Sequence, residues 1–132
     1  MRRGRSLVAI LALVWCLSGC SDLSSSRTRA AYITSGGGNA RSGREAILQY
    51  GCHTCHTING VPGAHGLVGP PLDGIARRQY IAGELPNTPA NLMRWIQHPH
   101  QVEPHTLMPE MGVSEQDSRD ITAYLYTLQG EP

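Results

Sequence analysis

Two cysteines and a histidine between residues 52 and 56 have the spacing of a chemical site. Cys52 and Cys55 are separated by two residues, and His56 follows Cys55 directly. On one helical turn, both sulfur atoms can reach the two vinyl groups of a single porphyrin edge, and the histidine can then ligate the iron. The CxxC half of the motif also fits zinc sites and thioredoxin-like redox centres. The rest of the sequence is needed to distinguish haem attachment from zinc binding and from thioredoxin-like redox chemistry.

The surrounding sequence favours a covalently attached haem over zinc or dithiol chemistry. A zinc site needs a second Cys or His pair at metal-ligand spacing. Outside the motif the chain carries scattered histidines, namely His65, His98, His100 and His105. A thioredoxin-like centre belongs to a βαβ pattern, which the sequence lacks. We therefore predict one haem c, attached covalently through Cys52 and Cys55, with His56 as an iron ligand.

The sixth iron ligand determines whether such a haem carries electrons or binds a substrate. We prefer Met108 because it precedes Pro109 in a loop between two predicted helices, where proline fixes the backbone. Met93 is expected to be a packed side chain within a helix. Met111 remains the rival, and His65 would serve only if Met108 did not bind.

The first residues have the pattern of a secretory signal peptide. Three arginines within residues 1–5 precede an apolar run over residues 7–17. That run is about half of the roughly 20 residues that a membrane-spanning helix needs. The string LSGC, which ends at Cys20, resembles the lipobox of bacterial lipoproteins, whose cysteine is acylated and becomes the new N-terminus. We predict a signal peptide over residues 1–19 and a lipid anchor on Cys20; the alternative is ordinary cleavage nearby, with Cys20 left as a thiol.

Residues 20–40 are predicted to form a lipid-anchored flexible linker. After Cys20 they are rich in serine, glycine and arginine, and almost none could contribute to a core. About twenty such residues have a root-mean-square span of about 25 Å and reach about 70 Å when extended. The folded part of the chain could therefore move while remaining at the membrane.

Residues 41–132 are predicted to form one small domain that needs a bulky cofactor in its core. The chain contains no phenylalanine, and a domain of this size is near the lower limit of independent folding. Secreted domains usually gain stability from disulfides. With Cys16 in the signal peptide and Cys20 acylated, the remaining Cys52 and Cys55 are too close to cross-link a fold.

Three helices are predicted to surround the motif. The first, over residues 42–50, leads into it. The second starts at the N-cap Thr88 and ends before Pro99, and the third starts at the N-cap Ser114 with acidic residues in its first turn. The glycine- and proline-rich stretch between the first two should form loops, with one short helix near residues 72–77. The sequence thus predicts an all-α fold of about three main helices and loops wrapped around one haem.

Several motifs in combination resemble those of class I c-type cytochromes with a single haem. The likeness covers residues 43–128. The matching features are the CxxCH motif, Gly69-Pro70-Pro71-Leu72, Met108-Pro109 and a final helix that carries Tyr124-Leu125. Residues 91–109 are similar to the cytochrome c domain of cytochrome oxidase subunit II.

This resemblance implies roles for residues beyond the iron ligands. The carbonyl group of Pro70 would accept a hydrogen bond from the ring of His56 and fix its orientation. Arg78 and Trp95 would lie near the haem propionates, with Arg77 as an alternative to Arg78. The resemblance also suggests that a glycine in the first helix lets the last helix cross it closely.

The function implied by the resemblance is one-electron transfer, not enzymatic catalysis. We expect an exported lipoprotein that faces the periplasm or the cell exterior and carries electrons from a quinol-oxidising complex to a terminal oxidase. The first alternative is a fixed haem c subunit of such a complex, of a terminal oxidase or of a periplasmic dehydrogenase. The second is a haem enzyme or gas sensor with an open iron position.

The charge of the predicted domain limits its choice of partners. Residues 41–132 contain six arginines and nine acidic residues, a net charge of −3, and the chain has no lysine. The lysine-rich docking face of mitochondrial-type cytochrome c is therefore missing. An acidic surface favours a positive or mostly apolar docking site, and an exported acidic domain is not expected to bind nucleic acid.

Overall fold

The computed structural model describes residue 27, residues 30–32 and residues 35–130. The predicted signal peptide, the predicted lipidation site at Cys20 and most of the predicted linker lie outside these residues. Within the described part of the chain, no helix has both the length and the apolar character needed to cross a membrane.

The described residues from 40 onward are mostly helical, which confirms the all-α prediction. The helices are α1 (Ala40–Gln49), α2 (Pro89–Gln97), α3 (Pro99–Val102) and α4 (Glu115–Thr127). Short 3₁₀ helices cover Cys52–Thr54 and Ile75–Arg77. A small antiparallel hairpin joins β1 (Tyr80–Ile81) to β2 (Leu85–Pro86).

Side chains at the predicted N-caps start the second and fourth helices. The hydroxyl group of Thr88 accepts a hydrogen bond from the backbone N–H of Asn91. The hydroxyl group of Ser114 does the same for the N–H of Asp117. These bonds satisfy N–H groups that have no partner within the helix, so both predicted helix starts are confirmed.

The first helix starts earlier than the predicted residue 42. Asn39 is its N-cap, and its side chain accepts hydrogen bonds from the N–H groups of Arg41 and Ser42. The N–H of Asn39 in turn donates to the carboxylate of Asp120 in α4, at 2.7 Å. The start of α1 is thus fixed both by its own cap and by the last helix.

Part of the segment assigned to the flexible linker is packed against the domain. Ala31 and Ser35 are buried, and the hydroxyl group of Ser35 accepts a hydrogen bond from the N–H of Gly38. The expectation of a flexible chain up to residue 40 therefore does not hold for these residues. Composition identifies the segment as polar, but it does not show that its serine and asparagine side chains make specific hydrogen bonds.

The main core lies where α1 crosses α4. Ile47 from α1 packs with Ile121 and Leu125 from α4, and all three are almost fully buried. At Gly43 the two backbones approach so closely that a Cβ atom would overlap the carbonyl group of Asp120. The close crossing at a glycine that the resemblance implies is therefore present.

Long-range hydrogen bonds hold the loops between α1 and α2 in place. Tyr124 of α4 donates its hydroxyl proton to the carbonyl oxygen of Asn59, at 2.7 Å. Asn87 donates to the carbonyl oxygens of Ile75 and Arg78, and Tyr126 of α4 donates to Asn87. The last helix thus fixes the loops that contain Asn59 and Asn87.

We predict that Gly43→Ala destabilises the domain by about 1–3 kcal/mol, because the added methyl group forces α1 and α4 apart. Urea unfolding of the full chain measures the effect. Ser42→Ala is the matched control, since Ser42 is exposed on the same helix and its capping bond uses the backbone N–H. A Gly43→Ala variant that gained stability, as an exposed helical glycine does on replacement by alanine, would contradict the close crossing.

Candidate functional site

All seven site residues predicted within the domain line one cavity. Its volume is about 490 Å³, within the range of about 300–1,000 Å³ that is usual for ligand and cofactor pockets. These residues come from loops and helices far apart in the sequence, namely Cys52, Cys55, His56, Pro70, Arg78, Trp95 and Met108. The fold therefore assembles one site from the scattered positions.

A tight turn brings the two thiols and the imidazole together. Gly51 precedes the 3₁₀ helix with φ of 74°, a left-handed conformation that glycine adopts without strain. The N–H groups of Cys55 and His56 both donate to the carbonyl oxygen of Cys52, at 3.3 and 3.1 Å. The backbone thus makes a tight turn over Cys52–Thr54. The side chains of Cys52, Cys55 and His56 all line the cavity.

Neither cysteine forms a disulfide, and both are half-buried. Burial raises the pKa of the Cys52 thiol above its ordinary value. Among the described residues, no cluster of three or more His, Cys, Asp or Glu side chains has the arrangement of a metal site, so the two cysteines have no such neighbours.

The ring of His56 is oriented by the loop that follows the motif. Its Nδ1 lies 2.7 Å from the carbonyl oxygen of Pro70. Because a carbonyl group can only accept, Nδ1 carries a proton, which in the neutral imidazole leaves the lone pair on Nε2. Gly69 packs directly on the ring, and its N–H donates to the carbonyl oxygen of Cys55 at 2.8 Å. His56 is thus held in the tautomer that can ligate a metal through Nε2.

Two of the methionine candidates for the sixth ligand reach this cavity. Met108 is half-buried in its wall, and Met111 also contributes to the wall but is 41% exposed. Met93 and His65 are not among the residues that line it. Position alone therefore narrows the candidates to Met108 and Met111.

The charged part of the wall contains Arg78 and not its neighbour Arg77. The guanidinium group of Arg78 donates to the carbonyl group of Pro71, beside the His56 loop. Arg77 instead donates to the carbonyl oxygen of Gly130 at the far end of the chain. Glu103 is the acidic side chain in the same wall.

Tyr50 is a wall residue that the sequence analysis did not identify. Its hydroxyl group donates to the carboxylate of Asp117 at 2.7 Å, and the same oxygen accepts a hydrogen bond from the hydroxyl group of Ser114. These bonds lower the pKa of Asp117, and the bond to Asp117 is the main cause of a raised pKa at Tyr50. Tyr50 lies two residues before Cys52, but its partner in α4 is 67 residues away and leaves no local signal.

The cavity opens between exposed apolar side chains. We define the mouth rim as Val68, Tyr80, Leu107 and Met111, which all line the cavity and are all exposed large hydrophobic residues. Leu107 is 86% exposed, and Leu67, next to Val68, is 88% exposed. Exposed apolar side chains that cluster in this way usually mark a binding surface.

The site fits a haem bound through the motif. Apolar side chains dominate its walls, both cysteines line it without forming a disulfide, and the oriented imidazole faces the same space. A protein-family model described as Cytochrome c matches residues 40–129. No curated protein and no solved structure matches the chain.

We predict that Gly69→Ala displaces the ring of His56, because the added Cβ atom would overlap it. The hydrogen bond to Pro70 should be lost, and the holoprotein should lose about 1–3 kcal/mol of stability. Urea unfolding and the absorption spectrum of the purified protein measure both effects. Leu67→Ala, an exposed change in the same loop, should leave both unchanged; equal behaviour of the two variants would show that Gly69 does not support the ring.

Proposed function

The chain belongs to the cytochrome c family, and on that premise we propose that it transfers single electrons in an extracytoplasmic respiratory chain while tethered to a membrane. The match and the helical architecture confirm the predicted class I cytochrome c fold. They also confirm a covalently attached haem c at Cys52 and Cys55, and hence a haem-based electron carrier. The axial ligands, the tether and the partners belong to the proposal.

The observation that carries the proposal is that His56 and Met108 line the same cavity as the attachment cysteines. If His56 and Met108 both ligate the iron of a bound haem, no position would be left for a substrate. A haem with a His/Met ligand pair supplies one-electron chemistry at a higher potential than one with two histidines. The chain's part is to keep both ligands in place and to exclude water with apolar walls. Little rearrangement then accompanies electron transfer.

We propose that electron-transfer partners dock at the mouth rim. The rim is apolar, and residues 41–132 carry a net charge of −3 and no lysine. A complementary partner therefore presents an apolar surface with positive charge around it. A quinol-oxidising complex as donor and a terminal oxidase as acceptor fit this role, and a tether to the same membrane would raise their effective concentration.

One alternative shares the same fold and site, and the expected resemblance of residues 91–109 to the cytochrome c domain of oxidase subunit II is compatible with both. In that case the domain is a fixed haem c subunit of a quinol-oxidising complex, a terminal oxidase or a periplasmic dehydrogenase. A fixed subunit would co-purify with larger chains at a constant ratio after mild detergent extraction. A free carrier would separate from them.

The proposed tether depends on Cys20. We predict that the wild-type protein stays in the membrane fraction after a high-salt wash and that Cys20→Ser releases it, because acyl chains hold a protein at a membrane through buried methylene groups. Cys16→Ser is the control and should leave the protein at the membrane. A Cys20→Ser protein that remained in the membrane fraction would contradict the lipid anchor.

The proposed sixth ligand can be identified from the optical spectrum. Oxidised wild-type protein should show the weak far-red band of a methionine–iron(III) bond. Met108→Ala should lose this band and bind carbon monoxide readily in the reduced state, whereas Met111→Ala should keep the wild-type behaviour. Loss of the band only in Met111→Ala would assign the ligand to Met111, and ready binding of carbon monoxide by the wild type at neutral pH would favour the haem enzyme or gas sensor.

A further inference from the structure

We propose that Thr106 is the positioning residue for Met108, the proposed sixth ligand of the iron. Its hydroxyl oxygen accepts a hydrogen bond from the backbone N–H of Met108, at 3.2 Å and in a partly buried place. The inference rests on the proposed function, because it requires that Met108 binds the iron. It assigns to Thr106 the task of keeping the ligand loop closed over the cavity.

The hydrogen bond to Thr106 restrains the backbone at Met108. Among the described hydrogen bonds, it is the one that involves a backbone group of residues 107–113. Pro109 restricts one dihedral angle next to Met108 but provides no N–H group. Loss of the Thr106 hydroxyl group would therefore leave the backbone of this loop without a hydrogen bond.

Thr106 is itself held by the preceding turn. Glu103 is the C-cap that follows α3, and its N–H donates to the carbonyl oxygen of Pro99 at 2.9 Å. The carbonyl oxygen of Glu103 accepts from the N–H of Thr106 at 3.1 Å, and its carboxylate accepts from the N–H of His105 at 2.8 Å. A continuous series of hydrogen bonds thus runs from α3 to Met108.

Met111 has no comparable support. It is 41% exposed, and the next residue, Gly112, has a φ of 65°. No described hydrogen bond joins its backbone to another residue. The hydrogen bond between Thr106 and Met108 therefore restrains the backbone at Met108 and not at Met111.

The restraint should appear as resistance to a competing ligand. Imidazole can bind the iron only when the methionine has left, so its apparent dissociation constant rises as the fraction of open loop falls. One intramolecular hydrogen bond contributes about 1 kcal/mol. Removing it should increase the open fraction, and thus the apparent affinity for imidazole, about fivefold.

The test is an imidazole titration of the oxidised, full-length holoprotein, followed through the far-red band. Thr106→Val should bind imidazole about fivefold more tightly than the wild type, whereas Thr106→Ser, which keeps the hydroxyl group, should restore the wild-type value. Thr127→Val is the matched control, because its hydroxyl group also bonds to a backbone group, the carbonyl oxygen of Tyr124 in α4, but does not line the cavity. If Thr106→Val does not acquire haem, Thr106→Ala replaces it in the same titration.

The possible results separate this inference from the proposed function. A wild-type protein without the far-red band would overturn methionine ligation and with it the role of Thr106. A wild-type protein with the band, combined with equal imidazole affinity in Thr106→Val and Thr127→Val, would overturn the role of Thr106 alone. Failure of Thr106→Ser to restore the wild-type affinity would also overturn it, since any effect would then come from side-chain shape.

Discussion

The packing of the domain depends on filling one large apolar cavity in its small interior. A cavity of about 490 Å³ is lined mainly by apolar side chains. Without a bound group, the apolar walls of this cavity would be left unpacked and in contact with water, which is unfavourable in proportion to their area. The covalently attached haem therefore acts as a part of the core as well as the redox centre. This explains how a chain without phenylalanine, whose domain cysteines are both used for attachment, can still fold.

The crossing of α1 and α4 connects this core to the site. The contact at Gly43 and the hydrogen bond from Asn39 to Asp120 fix the start of α1 on the last helix. Tyr50 follows the other end of α1, where Asp117 of α4 holds its hydroxyl group against the cavity. The same pair of helices thus determines both the packing of the domain and the position of the haem-attachment motif.

Local signals in the sequence predicted the parts of the site that depend on neighbouring residues. The attachment motif and the caps Thr88 and Ser114 were predictable because each works within about four residues. The packing of Ser35 and the bond between Tyr50 and Asp117 were not, because they depend on contacts across many intervening residues. Sequence spacing likewise does not distinguish Arg77 from Arg78. Their side chains donate to two different carbonyl groups, those of Gly130 and Pro71, and only the fold determines this.

The direction of α1 has a consequence for how the protein can be oriented on a surface. The helix begins at Ala40 and leads into the attachment motif, so at 1.5 Å per residue its ten residues place the two ends about 15 Å apart. The preceding chain joins the domain at the end remote from the haem. A support attached at the start of α1 would thus be separated from the attachment motif by the length of this helix.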